Sequence, residues 1–407
     1  MATSWRLEDA EAHLLSLELF GMRFGLDRMR RLLTVLGSPQ ERFAAIHVVG
    51  TNGKSSTARM CAALLEAHGV RAGAFLSPHL SSFAERIRIG DADVDDDAFA
   101  AAVQRAAAAA AKVDRTLEPD DRVTQFELVT AAAFDELARQ GVEVAVVEAG
   151  LGGRHDATNV LGADVVVLTN VGLEHTRWLG PTVRDIAGEK LAVVKSGATL
   201  ILGPVDPEVR ELAVATGAVV VEPEPLLSAL PGYQATNFAV AAAAARAQLG
   251  ALDAARVADV AGRIKVPGRV QVVAERPLTI YDGAHNPSGV EALAATLPAL
   301  VAGRPLIAVV SILDDKDAAG MLRALVGKTA GAVFTSSRNP RALPPATLAS
   351  LAEQLGGPPS EIVRDPRAAV ARAQALAGSD GAVLATGSIY LVADLLSDPA
   401  HRRASAL

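Results

Sequence analysis

The stretch Ile46-His47-Val48-Val49-Gly50-Thr51-Asn52-Gly53-Lys54-Ser55-Ser56 decides the fold. An apolar, β-branched run ends in a glycine turn, and residues 57–67 continue at helical spacing. Strand, glycine loop, lysine, hydroxyl and helix, in that order, form a nucleotide signature. Glycines let backbone N–H groups converge on phosphate oxygens, and the helix N-terminus adds its dipole. Lys54 supplies a cation for the terminal phosphates, and a serine hydroxyl can hold Mg²⁺. Gly50, Thr51, Asn52, Gly53, Lys54, Ser55 and Ser56 therefore form the expected phosphate cradle. The long Walker form needs glycine where Val48 stands, so this loop is a shorter variant. With no Asn-Lys-x-Asp element for guanine anywhere in the chain, ATP is the expected nucleotide.

Outward from this loop, Val144-Ala145-Val146-Val147 and Val165-Val166-Val167-Leu168 repeat the buried-strand pattern. Between them Phe126, Val129, Ala133, Phe134 and Leu137 recur at helical spacing and predict a crossover helix over one sheet face. A break at Val266-Pro267-Gly268 precedes a second strand–helix series at Leu278-Thr279-Ile280-Tyr281, Leu306-Ile307-Ala308-Val309-Val310, Ala332-Val333-Phe334 and Ala382-Val383-Leu384. The expected fold class is α/β, with a P-loop ATPase domain on a parallel-type sheet over residues 1–266 and a smaller Rossmann-like domain over 267–407. Glu148-Ala149-Gly150-Leu151-Gly152-Gly153 also follows a strand, but His155 stands where a dinucleotide fingerprint needs its third glycine. That weighs against a nicotinamide enzyme.

A formal net charge of −7 with no basic stripe argues against nucleic acid or an anionic membrane as partner and favours small molecules. One cysteine, Cys61, cannot close an intrachain disulfide or build a cysteine zinc site, which suits a reducing compartment. The N-terminal Arg6, Glu8, Asp9 and Glu11 do not read as a secretory signal. The alanine-rich stretches are too short to span a bilayer, so the expected location is the cytoplasm.

Further motifs accompany the phosphate loop: Ser77-Pro78-His79, Glu85-Arg86-Ile87, Gly150-Leu151-Gly152-Gly153-Arg154 with Asp156-Ala157-Thr158-Asn159, and Asp282-Gly283-Ala284-His285-Asn286-Pro287. From Phe24-Gly25-Leu26-Asp27-Arg28 to Thr386-Gly387-Ser388-Ile389-Tyr390, the set resembles the folylpolyglutamate synthase/dihydrofolate synthase family of the Mur ligase superfamily. The resemblance implies an ATP-dependent ligase that joins L-glutamate to dihydropteroate, to the glutamate tail of a folate, or to both, through an acyl phosphate. It also implies a Mur-ligase-like fold, small-molecule substrates (pterin or folate, L-glutamate, ATP) and a monomer. Two readings compete with it: a Mur-type ligase for a cell-wall nucleotide precursor, and a nucleotide-binding regulator without catalysis.

Glu148 ends a strand, where open α/β sheets place ligands, and its carboxylate suits Mg²⁺. By resemblance Ser56, Ser77, Glu148 and His175 hold two Mg²⁺ ions, Lys190 is carbamylated by CO₂, and Arg269 clamps the phosphates. Gln234 and Asn237 are implied nucleotide contacts, and Asp282 and His285 bind nucleotide or orient the amino acid. Lys54, Glu148, His175, Lys190, Asp282 and His285 are thus the expected catalytic set. Three residues depart from the family pattern: Ser55 for glycine, Ala84 for asparagine and Glu174 for aspartate. The first leaves Ser55 and Ser56 both open as the Mg²⁺ hydroxyl, with alignment favouring Ser56.

Overall fold

The computed structural model describes residues 4–18, 25–118, 121–226 and 228–397; Phe24 and the last residues, 398–407, lie outside them. The first sheet comprises β1 (Ala44–Val49), β2 (Ala72–Phe75), β3 (Ile87–Ile89), β4 (Ala92–Asp93), β5 (Val144–Glu148), β6 (Val165–Leu168), β7 (Thr199–Leu202) and β8 (Val219–Val221), in the order β4-β3-β2-β5-β1-β6-β7-β8. The six strands from β2 to β8 are parallel, and β1 lies at their centre with Ile46 opposite both Val146 and Val165. The sheet is mixed rather than purely parallel, because β3 and β4 run antiparallel at one edge. A tight turn joins β3 to β4 and residues 76–86 join β2 to β3, neither needing the helical crossover that a parallel step requires.

Alternation along β1 serves two cores. Ile46 and Val48 face the helices Lys54–Ala67 and Tyr233–Leu249, while Ala45 and Val49 face Asp96–Asp114 and Gln125–Arg139. Two-sided burial explains why the run is apolar apart from His47, whose buried Nε2 pairs with Thr158 Oγ1 at 2.8 Å. The crossover helix Gln125–Arg139 starts where Thr124 caps Glu127 N and the Glu127 carboxylate accepts from Thr124 N, a reciprocal capping box. Its Val129, Ala133, Phe134 and Leu137 are buried, and Val129, Phe134 and Leu137 each contribute about 1.5–3 kcal/mol.

The second sheet comprises β9 (Gln271–Glu275), β10 (Leu278–Tyr281), β11 (Leu306–Val310), β12 (Gly331–Phe334), β13 (Ser360–Ile362) and β14 (Ala382–Thr386), ordered β13-β12-β11-β14-β10-β9. All neighbours are parallel except β9, which pairs antiparallel with β10. No strand is shared with the first sheet, so the C-terminal strand ends of the two sheets meet only through their loops. The site lies where they meet.

Candidate active site

The phosphate loop is shaped by two contacts that only glycine permits. Gly50 has φ +151°, and a Cβ there would lie 1.9 Å from Thr169 Oγ1; Gly53 has φ +81°, and its Cβ would lie 2.5 Å from Asn237 Oδ1. Thr169 Oγ1 donates to Asn52 O at 2.6 Å, and Asn170 Oδ1 accepts from Asn52 N at 2.8 Å, so the end of β6 holds the loop open. No side chain caps the helix Lys54–Ala67 at Gly53, which leaves its N-terminal turn available to an anion. Lys54 Nζ donates to Gly50 O at 3.0 Å and Thr51 O at 3.1 Å. With three donors on an ammonium, one remains for a phosphate.

Glu148, at the end of β5, is 1% exposed. Its Oε1 accepts from Ser55 Oγ at 2.9 Å and its Oε2 from Ser77 N at 3.0 Å. Burial raises its pKa, against the opposing pull of Lys54, the Ser77 and Ser55 hydrogen bonds and Arg269. The structure thus brings Ser55, not Ser56, to this carboxylate. Adjacent helical residues point about 100° apart, and of the two hydroxyls it is that of Ser55 that contacts Glu148 directly. The Ser56 hydroxyl is buried with no hydrogen-bond partner among the described residues. Among those residues no three His, Cys, Asp or Glu side chains converge as a metal cage. Mg²⁺ asks for less: one or two carboxylates, phosphate oxygens and waters. Glu148 and the orphaned Ser56 hydroxyl fit that demand.

Lys190 lies in the helix Val183–Leu191 and is buried, with Nζ donating to Gly50 O at 2.7 Å. Burial, and then the Lys54 charge, lower it from 10.5 to about 7, with Glu174 and Asp156 opposing. The opposite face of the loop carries a hub that the sequence marked only as a departure. Glu174 Oε1 lies 3.2 Å from His285 Nε2 and 3.7 Å from both His175 Nε2 and Lys316 Nζ. Its carboxylate is held well below the usual range: the hydrogen bond and charge of His285, then Lys54 and His175, outweigh the effect of burial. His175 sits in a left-handed conformation at φ 52° and is lowered to about 4, chiefly by burial, so its ring is neutral at pH 7. It keeps company with Glu174 instead of Ser77.

From the second domain, the loop after β10 faces the phosphate loop. Asn52 and Asn286 exchange side-chain hydrogen bonds at 3.1 and 3.0 Å, and Asn52 Nδ2 donates to Ser288 Oγ at 3.0 Å. Gln234 Nε2 donates to Arg269 O at 3.2 Å, and Asn237 packs on Gly53, so both join the loop to the domain boundary. Asp282 departs from expectation. It is fully buried: Oδ2 accepts from Tyr233 Oη and from Val270 N at 2.8 Å, and Oδ1 from Ala284 N at 2.9 Å. Those bonds tie the carboxylate to the start of the helix Tyr233–Leu249 and to the loops flanking β9 and β10, and burial leaves it no exposed oxygen in this structure. Thr169, Asn170, Tyr233, Asn286, Ser288 and Lys316 are site-building residues absent from the expected set. Thr169-Asn170 carried a signal, since it ends a strand beside the phosphate loop.

A phosphate loop on a central parallel strand, a buried carboxylate beside it and a second α/β domain facing it define an ATP-dependent ligase of the Mur type. The Mur ligase middle domain matches residues 48–216, and the Mur ligase glutamate ligase domain matches residues 268–389. The Bacillus subtilis dihydrofolate synthase/folylpolyglutamate synthase is 31% identical, over 92% of this chain and 95% of that protein. A probable bifunctional folylpolyglutamate synthase/dihydropteroate synthase of Haloferax volcanii is 34% identical over 95% of this chain, which spans about half (50%) of that longer relative. Among solved structures, Mycobacterium tuberculosis folylpolyglutamate synthase complexed with ADP superposes with a TM-score of 0.89 at 32% identity, covering 97% of this chain and 99% of that one. The Yersinia pestis bifunctional enzyme complexed with AMPPNP and Mn ion gives 0.84 at 28% identity, covering 97% and 98%. The chain belongs to the dihydrofolate synthase/folylpolyglutamate synthase family. Membership sets aside the cell-wall ligase and the silent regulator.

Proposed function

We propose that the chain binds ATP and Mg²⁺ at the phosphate loop and joins L-glutamate to dihydropteroate, to the glutamate tail of a folate, or to both. The observation that carries this reading is the convergence of Lys54, Glu148 and Lys190 on one loop that faces the second domain. A substrate carboxylate attacks the γ-phosphorus in line, ADP departs, and an acyl phosphate remains. The neutral amine of glutamate then attacks the acyl carbon, phosphate leaves with the C–O bond electrons, and the amine proton is lost to solvent. Glu148, with the Ser56 hydroxyl, would hold Mg²⁺, which supplies charge neutralisation at the phosphates.

The remaining work belongs to the chain. Lys54 and the open helix N-terminus cancel phosphate charge as it develops. Arg269 approaches from the second domain, and closure of the two loops keeps water from the acyl phosphate. Lys190, buried beside another cation and lowered to about 7, has a neutral amine to capture CO₂; its carbamate would return an anion to the metal region. ADP release measured with dihydropteroate, dihydrofolate and tetrahydrofolate, each with and without glutamate, tests the reading. Stimulation by pterin and glutamate together is expected; none with any pterin would sink it.

A further inference from the structure

Between the domains, a narrow cleft opens beside the phosphate-loop helix, lined by Ser55, Arg59, Pro78, Glu85, Arg269 and Ile389 among others. Ser55 and Arg59 stand one turn apart on the same helix face, about 6 Å along its axis. Ser55 touches Glu148, so one end of the cleft is the reacting centre and Arg59 stems from the other.

Arg59 makes no hydrogen bond or ion pair among the described residues. Its charged neighbours are already committed. Arg88 pairs with Asp93, and both Glu85 oxygens accept backbone N–H groups, from Leu80 and Ser81 at 2.8 Å and Ser82 at 2.9 Å. Burial, followed by the charge of Arg88, lowers Arg59 to about 10, so it stays cationic at neutral pH. A largely desolvated guanidinium without a partner is costly, and an arriving anion removes that cost.

We propose that Arg59 binds the side-chain carboxylate of the incoming amino acid and so selects glutamate over its uncharged analogues. This rests on the ligase reading above. The attacking amine must lie at the acyl phosphate, and the α-carboxylate sits one carbon from it. The side-chain carboxylate is the part of the substrate that reaches farthest, and it therefore meets the cation farthest from the centre. A guanidinium fork suits it, because two parallel N–H donors match two carboxylate oxygens.

The experiment compares L-glutamate with L-glutamine as acceptor, at saturating ATP and a saturating pterin substrate, in wild type, Arg59→Met and Arg59→Lys. Arg59→Met is expected to raise KM for glutamate and to shrink the glutamate-over-glutamine preference in kcat/KM, each by about ten-fold or more, while KM for ATP stays unchanged. A packing role alone would not move that preference. Arg59→Lys, which keeps the charge and loses the fork, should raise KM for glutamate several-fold and serves as the deciding variant if Arg59→Met does not fold. An unchanged preference in Arg59→Met, a parallel rise in KM for ATP, or a wild-type KM for glutamate in Arg59→Lys overturns the proposal. Wild-type enzyme without glutamate-dependent ADP release would defeat the ligase reading, and this proposal with it.

Discussion

The two loops that face each other across the site have the same local grammar and opposite chemistry. Each follows a buried strand and opens a long helix: β1 leads through residues 50–53 into Lys54–Ala67, and β10 leads through residues 282–286 into Pro287–Val301. In the first, Gly53 leaves the helix without a side-chain cap. In the second, Asn286 caps Gly289 N at 2.8 Å, Pro287 removes a donor, and Asp282 takes Ala284 N and Val270 N. One loop spends its Thr51 and Asn52 N–H groups on Asn170 but leaves the first turn of its helix uncapped for a ligand; the other caps its own helix. Strand–loop–helix order alone therefore does not mark an anion site, and what distinguishes the two is whether the first turn is already satisfied.

Lys54→Ala should show the contrast at full size. Removing the cation leaves terminal phosphate charge uncompensated in ground and transition states alike, so nucleotide affinity and turnover fall together, turnover by about 10²–10³-fold. Calorimetric ADP titration and steady-state ADP release measure the two. Normal turnover in a folded variant would break the assignment of the first loop.

Lys190→Ala comes next, at about 10²-fold in turnover, with the fold retained and partial rescue by acetate. The wild-type amine is neutral above about pH 7, so activation by bicarbonate should rise as pH passes upward through that value. The sign for stability follows. Between about 7 and 10.5 the unfolded chain holds a proton on this lysine that the folded chain lacks, so stability from this group rises with pH across that window. A pH-independent response to bicarbonate would remove the carbamate from the argument.

Much of the first domain was legible because its signals are local. β1 is buried on both faces and reads as an apolar run interrupted only by His47, and glycines at 50 and 53 report positive φ and close approach. The second domain's outer strands were not legible for the converse reason. β9 has neighbours on one side only, Val272 and Val273 are exposed, and its register with β10 shifts, so neither alternation nor a continuous run survives. The Glu174 hub was hidden differently. Its partners His285 and Lys316 lie over a hundred positions away, and a pairwise meeting of charges across two domains leaves no periodicity to read. The motif around Asp282 shows that a carboxylate stands there but not which donors surround it, here Tyr233 Oη, Val270 N and Ala284 N.

Asp282→Asn turns that distinction into a stability measurement. The amide keeps an acceptor for Ala284 N but sets a donor against Val270 N, which cannot accept, and Tyr233 Oη must turn from donor to acceptor, so a buried N–H loses its partner. A cost of about 2–4 kcal/mol in urea unfolding is expected. Affinity of the folded fraction for ADP should change far less than in Lys54→Ala. A large loss of affinity with no loss of stability would mean that Asp282 turns toward the nucleotide in the bound state.

The smallest effect is expected at the contact between the loops, where Asn52 and Asn286 exchange two hydrogen bonds at 3.0–3.1 Å. Single substitutions mislead here. Asn286→Ala also deletes the cap on Gly289 N, worth about 1 kcal/mol, and Asn52→Ala also loses Ser288. A double-mutant cycle removes both complications, because each occurs in one single variant and again in the double. If the pair helps hold the domains together around bound nucleotide, ADP affinity should show a coupling of about 0.5–1.5 kcal/mol between the two positions. Additive losses in affinity, together with a coupling of that size in unfolding of the nucleotide-free protein, would mean that the loops are joined whether or not nucleotide is present. The second loop would then be a fixed wall of the site, and closure would have to be sought at Glu174, where His285 and Lys316 cross to the first domain.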